Sequence, residues 1–128
     1  MRAKPWLVMP LCCSIGGLAA AAAPTVWDFD GDAPDRAPAA FSLGRTGQGR
    51  AGKWVVKTDK DARSGDRVLA QLDADDTDYR FPVAVADAPV ARDLKLSVKC
   101  KPVSGKVEGL WTKADSVTYF DDLTVTPE

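Results

Sequence analysis

Asp93-Leu-Lys-Leu-Ser-Val-Lys-Cys-Lys101 decides the fold class of this chain. Leu94, Leu96, Val98 and Cys100 take one parity, and Lys95, Ser97, Lys99 and Lys101 take the other. A period of two places successive side chains on opposite faces of an extended chain, so the stretch reads as a strand with one dry and one wet face. Cys100 falls on the dry parity, where a buried, inert thiol is the expectation.

Outward from this stretch the same period recurs. Tyr79, Phe81, Val83 and Val85 alternate, with Pro82 inside the run. A proline donates no ladder hydrogen bond, so this strand belongs at an edge or a bulge. Val68, Ala70 and Leu72 form another apolar parity, and Trp54 and Val56 a shorter one. Val117, Tyr119, Leu123 and Val125 share a parity that Asp121 interrupts. Turn-forming residues separate the runs, at 31–38, 44–52, 64–66, 73–78, 86–89 and 104–105. Helical periodicity is absent after residue 24, so the expectation is an all-β, antiparallel sandwich or barrel in one domain over residues 24–128.

The first 23 residues read differently. Arg2 and Lys4 precede an apolar stretch, Trp6 to Ala23, that closes on the small-residue run Ala19 to Ala23. A basic start, a short apolar middle and a small-residue end are the marks of a secretory signal peptide. Cleavage near Ala22 or Ala23 would place the domain in the periplasm or outside the cell. The competing reading is an uncleaved anchor, against which stand Pro10, Gly16, Gly17 and the weakly apolar alanines. Cys12 and Cys13 lack the preceding small residue of a lipidation site. After cleavage no membrane segment is expected, and Cys100 is the only cysteine left, so no internal disulfide is possible.

Composition excludes several chemistries. The chain has 17 Lys plus Arg and 18 Asp plus Glu; taking away Arg2 and Lys4 leaves 15 basic residues and a net charge of −3. That is no nucleic-acid footprint. The absence of His removes Ser-His-Asp and Cys-His devices and histidine metal ligands. Gly47-Gln-Gly-Arg-Ala-Gly-Lys53 has phosphate-loop spacing, but Trp54 stands where a magnesium-binding hydroxyl is required, so a turn is the better reading. Asp28, Asp30, Asp121 and Asp122 are the candidate metal ligands, calcium being the cation that suits their hard oxygens; solvated acidic turns are the alternative. A second acidic run covers Asp73, Asp75, Asp76 and Asp78. For carbohydrate, aromatic faces beside polar groups nominate Trp111 with Asp115, and Tyr79 with Arg80.

Longer stretches carry a resemblance. Val26-Trp-Asp-Phe-Asp30, Phe41-Ser-Leu-Gly-Arg-Thr-Gly-Gln-Gly49, Gly52-Lys-Trp-Val-Val56 and Arg63-Ser-Gly-Asp-Arg-Val-Leu-Ala-Gln71 form its first part. Tyr79-Arg-Phe-Pro-Val83 and Gly109-Leu-Trp-Thr-Lys-Ala-Asp-Ser-Val-Thr-Tyr-Phe-Asp-Asp-Leu123 complete it. Together they resemble exported bacterial domains of the concanavalin A-like lectin/glucanase superfamily, of the 3-keto-disaccharide hydrolase-like or glycoside hydrolase-like kind. The resemblance implies a jelly-roll sandwich with adjacent first and last strands and a carbohydrate-related role. Such relatives carry a long middle section, whereas here Val103-Ser-Gly-Lys-Val-Glu-Gly-Leu-Trp111 joins its flanks directly. The motif E-x-D-x-x-E is absent, and no catalytic residue carries over.

The expected function is therefore a non-catalytic, carbohydrate-binding type of sandwich in shortened form, with a glycoside hydrolase as the alternative. Removing central strands would leave sheet edges bare, so self-association through those edges is a further expectation.

Overall fold

A computed structural model describes residues 23–87, 92–105, 107–108, 111–112 and 116–128, with the backbone alone described at 107–108 and 111–112. The leader reading, residue 23 apart, and Asp115 lie outside the described residues. The fold is all-β and antiparallel. In chain order the strands are β1 (Thr25–Trp27), β2 (Phe41–Gly47), β3 (Trp54–Thr58), β4 (Arg67–Gln71) and β5 (Arg80–Ala86). They continue with β6 (Leu94–Ser104), β7 (Val107–Glu108), β8 (Trp111–Thr112) and β9 (Val117–Pro127).

β9 is the axis of the larger, five-stranded sheet. Along one edge it pairs with β6 for nearly its whole length. Along the other, its first half pairs with β4 and its second half with β1. β3 lies beyond β4, and residues 35 and 36 extend the sheet by bonding Val56 on both backbone atoms. The ladder of β9 breaks at one place. From Leu96↔Val125 to Cys100↔Phe120, β6 advances four residues and β9 five. Asp122, at φ 47°, takes up the extra residue as a bulge. A parity counted through Asp121 therefore fails: Leu123 pairs with Trp27 on the inner face, while Tyr119 pairs with Ala70 and Lys101 on the outer face.

β2 and β5 form a second, two-stranded layer. Phe41 of β2 meets Trp27 edge-on at 5.7 Å and Phe29 at 5.8 Å between ring centroids. The core of Phe29, Val56 and Leu69 is completed by Trp27, Phe41, Trp54, Ala84 and Phe120. Such burial is the main favourable term, there being no disulfide among the described residues.

Three expectations about faces are corrected. Because Phe41 faces the core and pairs with Ala86, the even-numbered residues of β5 face inward, with Ala84 against the core. Phe81, Val83 and Val85 thus lie on the opposite side, and Val85 is exposed. On β4 the core residue is Leu69, not the parity of Val68 and Ala70, although those two are buried as well. On β6 the dry face is not dry: Leu94 and Leu96 are 46% and 58% exposed, and Cys100 is exposed. These three residues share the inner face with Val125 and Phe120, but the two-stranded layer packs at the other end of the sheet. Pro82 sits on a strand that pairs with β2 alone among the described residues, as its missing donor requires.

Candidate functional site

The outer face of the larger sheet carries a groove of about 450 Å³. Its floor is made by three strands in register. Val68 of β4, Tyr119 of β9, and Lys99, Lys101 and Pro102 of β6 all line it. The β3–β4 loop forms its wall through Asp59, Asp61, Ala62 and Arg63, with Asp121 at its base.

Carboxylates hold that wall in place. Asp121 is 3% exposed and accepts the backbone N–H groups of Arg63 and Ser64 at 2.8 and 3.1 Å. Asp122, turned by the bulge, accepts the Ser64 hydroxyl and pairs with Lys99 Nζ at 2.7 Å. From the far side Asp30 accepts the N–H groups of Asp66 and Arg67 at 3.2 and 3.1 Å. The loop approaches so closely that a Cβ at Gly65 would stand 1.9 Å from Asp30 Oδ2, and Gly65 also needs a φ of 54°. Only glycine meets both demands. Asp28 accepts only the local N–H of Asp30.

The structure does not bring Asp28, Asp30, Asp121 and Asp122 together as one ligand set. Among the described residues no three potential ligands converge on a metal position. Two of the four anchor the backbone of one loop and a third, Asp122, its Ser64 side chain.

Inside the groove the charges come in pairs. Lys101 donates to Asp59 and stands 3.9 Å from Asp61 Oδ2. Its ammonium lies 5.5 Å from the Tyr119 ring centroid, within cation–π range. The hydrogen bond from Lys101 lowers the Asp59 carboxyl below its ordinary range, assisted by the Asp61 backbone, and Asp59 in turn raises Lys101. Asp122 is lowered by the hydrogen bond from Lys99 and then by that from Ser64.

A second polar cluster is structural. Arg80 is 1% exposed and donates to the backbone oxygens of Arg50 and Asp75 at 2.9 and 3.0 Å, and to Asp73 Oδ2 at 2.8 Å. Arg50 grips Asp73 through two nitrogens, both at 2.9 Å. Asp73 is lowered chiefly by its hydrogen bond from Arg50, and Asp75 chiefly by the Thr77 hydroxyl. The glycine-rich segment is folded against this cluster: a Cβ at Gly47 would fall 1.7 Å from the Tyr79 carbonyl oxygen, which accepts from Gln48 N–H. It is a tight turn.

Of the nominated carbohydrate residues, the side chains of Tyr79 and Arg80 are described, and they lie in different surroundings. Tyr79 is 73% exposed, at a φ of 56°. Its neighbour Arg80 is buried in the backbone cluster and is not presented to a ligand. Trp111 falls on β8. The groove residues Asp59, Asp61, Lys99, Lys101 and Tyr119 escaped the sequence reading. Their signal was the wet parity of the 93–101 stretch, together with the acidic turn Asp59-Lys-Asp61.

No family model, curated protein or solved structure matches this chain.

Proposed function

We propose that this chain is an exported, non-catalytic carbohydrate-binding domain, an incomplete jelly-roll sandwich that binds through the outer groove. The observation that carries this reading is the lining of the groove. An aromatic ring, Tyr119, stands in it and is rimmed by the ionic groups of Asp59, Asp61, Lys99 and Lys101. Sugars present the same division: a C–H face that packs on aromatic or apolar surface, and hydroxyls that bond strongly to charged partners.

One further observation supports it. β1 and β9, the first and last described strands, are neighbours, the adjacency a jelly roll needs.

The test is calorimetric titration of the purified chain against a glycan panel, with Tyr119→Ala alongside. Binding that drops about tenfold in the variant is expected, the size of a lost stacking and hydrogen-bonding side chain. A chain that binds no glycan would end the reading. The alternative, a glycoside hydrolase, finds its best support in Asp121 at the groove base. Hydrolysis assays on Asp115→Asn, Asp121→Asn and Asp122→Asn separate it, because turnover by the parent chain that any of these abolishes would favour the enzyme.

A further inference from the structure

We infer that the groove selects a neutral, polyhydroxylated ligand, and that Asp61 and Lys101 select it by sharing one ligand hydroxyl between them. The inference rests on the carbohydrate-binding reading and narrows it to a substrate class and two residues.

The charges at the groove nearly cancel. Arg63, Lys99 and Lys101 face Asp59, Asp61 and Asp121 of the lining and Asp122 beside it, three cations against four carboxylates. Most are already engaged: Lys99 with Asp122, Lys101 with Asp59, and Asp121 with backbone N–H groups. An anionic ligand entering here would meet Asp59 and Asp61. A cationic one would meet Lys99, Lys101 and Arg63. The net field is weak for either sign, and a charged ligand that engaged Lys99, Lys101 or Asp59 would have to draw it from its present partner. A neutral ligand disrupts none.

One pair is left open. Asp61 Oδ2 and Lys101 Nζ stand 3.9 Å apart, too far for a hydrogen bond, and the Asp61 side chain is 86% exposed. A hydroxyl oxygen about 2.8 Å from each atom fits that gap. The hydroxyl accepts from the ammonium and donates to the carboxylate, so both of its roles are used, each with a charged partner. The Lys101 ammonium has three donors, and Asp59 takes only part of this capacity. Tyr119 lies alongside for the C–H face of the ring bearing that hydroxyl.

The experiment titrates the purified chain by calorimetry with four probes: cellotriose, maltotriose, a galacturonate trimer and a glucosamine trimer. Each titration is run at about 50 and about 500 mM NaCl, a range over which interactions between exposed charges are largely screened. The expected result is that a neutral trimer binds with the same affinity at both salt concentrations. Asp61→Ala and Lys101→Met should each weaken that binding about tenfold, and the double variant no more than the worse single, because both lose the same hydroxyl. Lys101 also braces Asp59, so its variant can disturb the wall. Asp61 is solvent-exposed and tests the assignment without that complication, provided its melting temperature matches the parent. Binding of the charged trimers alone would overturn the inference and leave the carbohydrate reading standing. Neutral binding indifferent to Asp61→Ala would overturn the assignment of the two residues. Failure of all four probes, with no other glycan bound in the panel, would remove the carbohydrate reading itself.

Discussion

β4 and β6 both pair with β9, yet they live in different surroundings. β4 is five residues long, and Val68, Leu69, Ala70 and Gln71 are all buried. β6 is eleven residues long and almost wholly exposed, its leucines included. Both satisfy their backbone toward β9. A ladder supplies pairing, whereas burial needs a second layer. β4 has the two-stranded layer and Phe29 over its inner face and the β3–β4 loop beside its outer one. The inner face of β6 extends past that cover.

The comparison can be broken by substitution. The largest effect is expected from Arg80→Met, which strips the backbone cluster beyond the end of β4 and leaves Asp73 without a buried partner. A loss of about 4 kcal/mol in urea unfolding is expected, the range for breaking a buried ion pair. Leu69→Ala should follow at about 3 kcal/mol, the cost of a core cavity. The acid limb comes next. Asp59, Asp73 and Asp122 titrate below their ordinary 3.8 in the folded chain. Their contribution is therefore fully present above that value and is lost as pH falls through the lower folded values. Stability should be level down to about pH 5 and fall below about pH 4. Asp59 and Asp122 hold Lys101 and Lys99, so amide exchange in β6 should quicken in acid before that in β4. The smallest effect belongs to Leu96→Ala, the same chemical change as at Leu69, expected within about 0.5 kcal/mol. Equal costs at 69 and 96 would abolish the distinction between the strands. If the edge of β6 that pairs with no strand among the described residues draws copies together, Leu96→Lys should shift the population measured by solution mass toward monomer.

Alternation was enough to read β6 as a strand and the chain as all-β, because period two is a local property. It did not tell which face would be covered. Val83 and Val85 are larger and more apolar than Ala84, yet Ala84 faces the core because Phe41, forty-odd residues earlier, sets the register. The bulge at Asp122 left no local signal beyond an acidic pair, and it reverses the parity of everything after it. Asp30, Asp121 and Asp122 read as a cation site because their partners, the amides and hydroxyl of residues 63–67, are 36 to 58 positions away in sequence. The groove was invisible for the same reason: Asp59 and Lys101 are 42 residues apart.

Arg80 opens β5, and its guanidinium reaches carbonyl oxygens contributed by two separate loops. Sliding β5 by a single position along β2 would carry Tyr79 or Phe81 into that nest and expel the cation. Misaligned pairings of β2 with β5 would thus be rejected by unanswered carbonyls, a form of proofreading written into one side chain. Insertions or deletions between Asp75 and Arg80 should accordingly be tolerated far less well than their surface position would indicate.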